Sequence, residues 1–180
     1  MLSRRRLFQA GGLALAGLAL PGLVRAGVVA EIAMRSDTLG TKVWFDPIGL
    51  FVEPGTTVRW VLEANVHTAT AYHPANGNRA QRIPDGAQPW DSGYLVNPGD
   101  SFEVKLEVPG VYDYFCLPHE RAGMVGRIVV GEAAGIATLP PEQFRAKVEA
   151  NGWEPVPPKA LAAFPPVEEI LAAGSISGRP

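Results

Sequence analysis

Between Ser101 and Val108 every even position is apolar and every odd one polar, with Phe102, Val104, Leu106 and Val108 set against Ser101, Glu103, Lys105 and Glu107. A period of two predicts a strand with one face in a core. Val58, Trp60 and Leu62 alternate with Arg59 and Glu63 in the same way. From Lys42 to Val130 the turns Pro54-Gly55, Pro98-Gly99-Asp100 and Pro109-Gly110 separate runs rich in Val, Phe, Trp and Tyr. Short strands at this spacing, with no helical period among them, predict an all-β, antiparallel sandwich of about a hundred residues. Its expected core is Val58, Trp60, Leu62, Phe102, Val104, Leu106, Tyr112, Tyr114, Ile128 and Val130. His73 to Trp90 has no clear period and reads as a long loop, with room for a short helical turn.

Beyond Val130 the composition shifts to Pro and Ala. Pro141–Ala150 opens on Pro-Glu and stops at Asn151-Gly152, and Pro166–Ala173 opens on Pro and stops at Gly174. Both read as short helices. Residues 132–180 are therefore an extension to a domain at 27–131. Phe144, Trp153, Phe164, Ile170 and Leu171 give it enough apolar surface to dock on that domain; a partner-binding or partly disordered tail is the competing reading.

The N-terminus changes the picture of where the chain works. Arg4-Arg5-Arg6 precede an uncharged run from Ala10 to Val24 that is short for a membrane span and broken by Pro21-Gly22, and Arg25-Ala26 follows. This is the layout of a signal peptide over residues 1–26, cleaved near Ala26, so no membrane insertion is expected to persist. The arginines followed by Leu7-Phe8 resemble a twin-arginine export signal, with an ordinary basic n-region as the alternative. A periplasmic location follows. Removing residues 1–26 takes four of the 16 Lys and Arg and none of the 18 Asp and Glu, leaving 12 basic side chains and a net charge near −6. That surface argues against nucleic acid as a partner.

Cys116 is the only cysteine, so an exported chain has no internal disulfide to protect it. Metal ligation would protect it, and burial as an inert core thiol is the alternative. Cys116, His119 and Met124 fall within nine residues, between an aromatic run and the apolar run Val125–Val130. A hairpin there brings a thiolate, an imidazole and a thioether together, which is three parts of a blue-copper centre built from one Cys, two His and an axial Met. The remaining histidine is His67, at the end of a predicted strand, or His73, at the mouth of the long loop.

These residues resemble the cupredoxins, in particular the plastocyanin, pseudoazurin and halocyanin group of blue copper proteins. The likeness runs from about Thr41 to Val130. It rests on an upstream His after a strand, on Asp91-Ser92-Gly93 leading to Pro98-Gly99-Asp100, and on Gly-x-Tyr-x-Tyr followed by Cys-x2-His-x4-Met. It implies a Greek-key sandwich holding one type 1 copper, with His67, Cys116 and His119 as equatorial ligands and Met124 as the axial one. By the same likeness the Thr68 N–H reaches the Cys116 sulfur, while Pro118 stiffens the ligand turn and Gly123 and Gly126 let it approach the metal. The implied activity is one-electron transfer, as a monomer, between a donor and an acceptor redox protein, with no enzymatic reaction of its own. A copper-holding or copper-delivery protein of the same fold is the alternative, and a metal-free interaction domain of the same shape is a third reading, against which the intact ligand set speaks. The chain departs from the plant plastocyanin pattern at Phe115, where a tyrosine is expected, at Thr68, where an asparagine is expected, and at Glu120-Arg121, which put charge beside His119. The likeness does not include residues 132–180.

Overall fold

The computed structural model describes residues 28–179; the expected export signal and its expected cleavage near Ala26 lie outside them. Among the described residues, nine strands are arranged as two facing sheets. β1 (Val29–Ser36), β2 (Val43–Asp46), β4 (Thr56–Leu62) and β6 (Ser101–Leu106) form the first, in the order β2-β1-β4-β6. β3 (Gly49–Val52), β5 (Thr70–Ala71), β7 (Gly110–Phe115), β8 (Val125–Val130) and β9 (Ser175–Ile176) form the second, in the order β5-β7-β8-β3-β9. The expected sandwich is present, but its sheets are mixed. β1 runs parallel to β4 and β3 parallel to β8, so the pairing is not antiparallel throughout.

The alternation read from the sequence accounts for the first sheet. In β4, Thr56, Val58, Trp60 and Leu62 point inward while the residues between them are half-exposed. β6 is an edge strand, so Phe102 and Val104 are only half-buried and Leu106 alone is buried. The other predicted core residues are buried, and Trp60 stands among Trp90, Phe102 and Tyr114 at ring separations of 5.6, 6.2 and 5.2 Å. β1 was not among the predicted strands, yet it sits between β2 and β4 and sends Ile32 and Met34 into the core.

β7 and β8 are buried on both faces. Tyr112, Tyr114 and Ile128 face the first sheet, while Val111, Asp113, Phe115, Val125, Arg127 and Val129 face outward under the C-terminal segment. That segment contains α1 (Pro141–Asn151), α2 (Pro158–Ala163) and α3 (Val167–Ala173) and ends in β9 against β3. The two predicted helices are present as α1 and α3, and α2 is additional. Phe144, Val148, Val156, Ala160 and Phe164 pack with Tyr72, Phe115 and Val125, and Ile170 packs with Val111 and Val129. The extension thus docks on its own domain. Covering this many apolar side chains is what holds short helices in place, because isolated pieces of 6 to 11 residues are too short to be stable in water.

Candidate metal centre

Cys116 follows the last residue of β7 and begins a 3-10 turn, Leu117–Ala122, which returns to β8 through Gly123 and Met124. Pro118 fits the first turn of such a helix, where its missing N–H costs nothing. Gly123 takes a left-handed backbone (φ 91°) that a side chain would resist. Cys116 N–H donates to Met124 O at 3.0 Å and His119 N–H to Cys116 O at 3.0 Å, so the turn is closed by its own backbone. Gly126 acts differently from the expectation. A β-carbon there would fall on the Tyr114 phenol, so this glycine serves the packing of β8 on β7.

His67 lies between β4 and β5 and exchanges both backbone hydrogen bonds with Leu95, at 3.2 and 2.9 Å. The Asp91-Ser92-Gly93 stretch secures the same segment. Ser92 N–H donates to Ala69 O at 3.1 Å, and Ala69 N–H donates to Ser92 Oγ at 2.8 Å. The segment therefore delivers His67 to the turn that carries Cys116 and His119.

The nitrogen and sulfur atoms converge. His67 Nδ1 and His119 Nδ1 are 3.2 Å apart, and Cys116 Sγ lies 3.5 and 3.4 Å from them. A point equidistant from such a triangle is about 2 Å from each corner, the ordinary distance from a first-row metal to imidazole nitrogen or thiolate sulfur. Among the described residues, these three are a group able to hold a metal ion. His67 and Cys116 are buried and His119 half-buried. Met124 is buried in the same core cluster as Cys116. His73 stands apart, half-buried on the long loop with its Nδ1 accepting from Ala75 N–H at 3.1 Å.

Around the triangle, Thr68 N–H points at Cys116 Sγ from 3.3 Å, as expected. Burial pushes the Cys116 thiol up to about 11, against the pull of that N–H, and burial together with the neighbouring His119 lowers His67 to about 4. Burial also lowers His119. Without metal the donors are thus a neutral thiol and neutral imidazoles, and cation binding has to expel the thiol proton. Soft sulfur beside two imidazoles is a donor set suited to copper.

The profile of copper binding proteins of the plastocyanin/azurin family matches residues 32–131. The chain belongs to that family. A chloroplastic plastocyanin from Tetradesmus obliquus is 33% identical over 132 residues, covering 71% of this chain and 83% of that one. A putative pseudoazurin from Rhizobium leguminosarum bv. viciae is 32% identical over 88 residues, 49% of this chain and 51% of that one. The structure of a pseudoazurin from Sinorhizobium meliltoi superposes with a TM-score of 0.53 at 27% identity, covering 81% of this chain and 98% of the other. A span of 81% is longer than residues 1–131, so the likeness to this pseudoazurin takes in part of the C-terminal segment and is not confined to the stretch before residue 132. As a member of the plastocyanin/azurin family with this donor set, the protein carries one type 1 copper.

Several neighbours of the centre had no sequence signal of their own. His67 Nε2 is 3.1 Å from Ser36 Oγ at the end of β1, which fixes the N–H on Nε2 when Nδ1 serves as a ligand. Ser36 belongs to β1, whose pattern does not alternate plainly. Glu120 was expected to put charge on the surface beside His119, but it is 3% exposed and bonded to Tyr72 and Arg79; Arg121 is exposed as expected. Phe115 is wholly buried, its ring 4.4 Å from that of Tyr72.

Proposed function

We propose that this protein is an exported one-electron carrier that shuttles between a donor and an acceptor redox protein in the periplasm, with His67, Cys116 and His119 as equatorial copper ligands and Met124 as the axial one. The observation that carries the reading is the triangle of two Nδ1 atoms and one Sγ at the end of the sandwich. Bound copper supplies the Cu(I)/Cu(II) couple. The chain supplies a donor set held from several sides: Ser36 orients His67, Thr68 N–H steadies the sulfur, and backbone bonds close the ligand turn. Burial of His67, Cys116 and Met124 keeps water from the donors. His119 alone of the three clustered donors reaches the surface, next to exposed Leu117, Pro118 and Ala122, so its ring edge is the route for the electron.

Three histidines in the whole chain leave none for a further copper centre of the kind a multicopper oxidase needs, which supports a carrier over an enzyme. The enclosed donor set favours a carrier over a copper-delivery protein, whose site has to stay open. Export by the twin-arginine route and cleavage near Ala26 rest on residues 1–26. Among the described residues no helix is long and apolar enough to cross a membrane. We assign a monomer and no nucleic-acid partner, the latter in keeping with the mature net charge.

The test is the visible and spin-resonance spectrum of residues 27–180 loaded with Cu(II), beside Cys116→Ser. An intense thiolate-to-copper band, a narrow hyperfine splitting and reversible reduction at constant copper content, all absent in the variant, are expected. An ordinary Cu(II) spectrum in the unsubstituted chain would refute the ligand set.

A further inference from the structure

Glu120 follows His119 in the 3-10 turn, where an acid would ordinarily face water. Its side chain is instead 3% exposed. Oε1 accepts from Tyr72 Oη at 2.9 Å, and Oε2 pairs with Arg79 Nη2 at 2.8 Å. A buried carboxylate is costly unless both oxygens are satisfied, and here each oxygen has its own partner from a different direction. An apolar side chain could fill the space, but it would not fix the rotation of the turn and would leave the buried Tyr72 hydroxyl without an acceptor.

Both partners are themselves held. Tyr72 is wholly buried, with Phe115 on one side at 4.4 Å and Phe164 of the C-terminal segment on another at 5.9 Å. The Arg79 guanidinium lies 5.4 Å from the centre of the Phe115 ring, a cation-π arrangement. The backbone around Arg79 is stitched to the segment after α1: Glu154 N–H donates to Asn78 O at 2.8 Å, Ala80 N–H to Glu154 O at 3.1 Å, and Asn78 Nδ2 to Gly152 O at 2.8 Å. α2 packs against the same turn, with Lys159 and Ala163 beside Gly123.

We propose that Glu120 is the positioning residue of the ligand turn: its carboxylate, clamped between Tyr72 and Arg79, locks the turn that carries His119 to the C-terminal segment, making that segment part of the scaffold of the redox centre. The effect passes from Glu120 through one peptide bond to His119, and through Glu120 O, which accepts Gly123 N–H at 2.9 Å, to the residue before Met124. A turn locked before metal arrives changes little between the two oxidation states, which is what fast one-electron transfer needs. The consequence for copper rests on the ligand set proposed above; the locking of the turn does not.

The experiment compares the full mature chain with Glu120→Ala, Glu120→Gln and Tyr72→Phe, first without metal. Amide hydrogen exchange is followed at His119, Gly123 and Met124 in the turn and at Ile32 and Trp60 in the first sheet. In Glu120→Ala, exchange in the turn is expected to rise by about tenfold or more, the equivalent of one lost charge-assisted hydrogen bond, with the sheet amides little changed. Glu120→Gln keeps an acceptor for Tyr72 but loses the pair with Arg79, so it restores part of the protection. Tyr72→Phe raises exchange at the same turn amides by a smaller factor, and carries the comparison if Glu120→Ala does not fold. With Cu(II) bound, the hyperfine splitting and the visible band shift in Glu120→Ala and return toward the parent values in Glu120→Gln. Uniform acceleration at turn and sheet, no acceleration at the turn, or Glu120→Gln matching Glu120→Ala would overturn the proposal. A parent protein without a thiolate-to-copper band would refute the ligand set while leaving the exchange comparison to decide the locking.

Discussion

Asp113 on β7 and Arg127 on β8 are register partners that meet through two hydrogen bonds, Nε to Oδ1 at 2.7 Å and Nη2 to Oδ2 at 3.0 Å, on the outer face of a sheet that the C-terminal segment covers. Arg82 adds a third, Nε to Oδ2 at 2.7 Å, and its guanidinium lies 4.5 Å from the Phe144 ring and 5.2 Å from the Phe164 ring. Arg127 Nη1 donates to Pro165 O at 2.9 Å. One carboxylate thus holds two arginines, and both reach aromatic or backbone groups of the extension.

Asp113→Ala leaves those two arginines buried without their counter-charge and is expected to destabilise the protein by about 3–5 kcal/mol in urea denaturation. Adding Arg127→Met in the same background should recover part of the loss, because it removes one of the unpaired charges. A loss below about 1 kcal/mol would mean that the arginines find water once the acid is gone.

The sequence made legible those elements whose apolar residues alternate against water. β4 and β6 have one face in the core, so their period is plain. β1 carries Ala30 and Ala33 between its larger residues, which blurs the period, and its place in the sheet depends on a parallel partner 28 residues away. At the proposed copper centre, Cys116, His119 and Met124 share one turn and can be read from spacing. Ser36 and Tyr72 cannot, since each reaches the centre only through pairing distant in sequence. Asp113 lies between Tyr112 and Tyr114 and Arg127 between Gly126 and Ile128, the alternation of a strand with one face in water. They are buried because the extension supplies a second covering layer, and no local pattern around them carries that information.

Gly126 on β8 is paired with Tyr114, and a β-carbon added to it would land on the Tyr114 phenol. Tyr114 cannot swing away, being fully buried with Phe45 and Trp60 at 4.7 and 5.2 Å. Gly126→Ala is therefore expected to cost about 1–3 kcal/mol, read as a lower urea midpoint at unchanged slope. Tyr114→Phe in the Gly126→Ala background removes one of the clashing atoms and should lessen the cost.

At the proposed copper ligands, Met124→Leu should retain copper and the thiolate band while raising the reduction potential, because a weak axial donor that stabilises Cu(II) is lost. His73→Ala should leave spectrum and potential unchanged, as its ring is engaged with Ala75 N–H away from the triangle. Loss of copper from Met124→Leu, measured by metal content, would contradict the axial role.

Asp100 gives a pH dependence. Its Oδ2 accepts the N–H groups of Asn97 and Val96 at 2.8 and 3.1 Å, and those bonds hold the carboxyl below its ordinary 3.8. A carboxylate depressed in the folded state stabilises the fold above the unfolded value and loses that contribution as the pH falls through the folded one. The difference in Tm between the parent and Asp100→Asn should therefore be full above pH about 5 and shrink as the pH falls below the ordinary value. A difference that grows toward acid would reverse the sign of this argument.

Thr68 stands where the plastocyanin pattern has asparagine, and its side chain has a defined task. Thr70 Oγ1 donates to Asp91 Oδ1 at 3.0 Å, which uses its only proton. Thr68 Oγ1, 2.9 Å from Thr70 Oγ1, must then donate to it, leaving its lone pairs free to accept Leu117 N–H at 2.8 Å. The relay from Asp91 therefore ends on the first residue of the ligand turn, and it has one direction. Thr68→Val keeps the shape but leaves Leu117 N–H without its acceptor, an expected loss of about 1–3 kcal/mol in urea denaturation. Thr68→Ser keeps the hydroxyl and should lose much less. The contact to the Cys116 sulfur comes from the Thr68 backbone N–H, so Thr68→Val should still show the thiolate-to-copper band. Loss of that band would mean that the relay, and not the backbone alone, holds Thr68 against the sulfur.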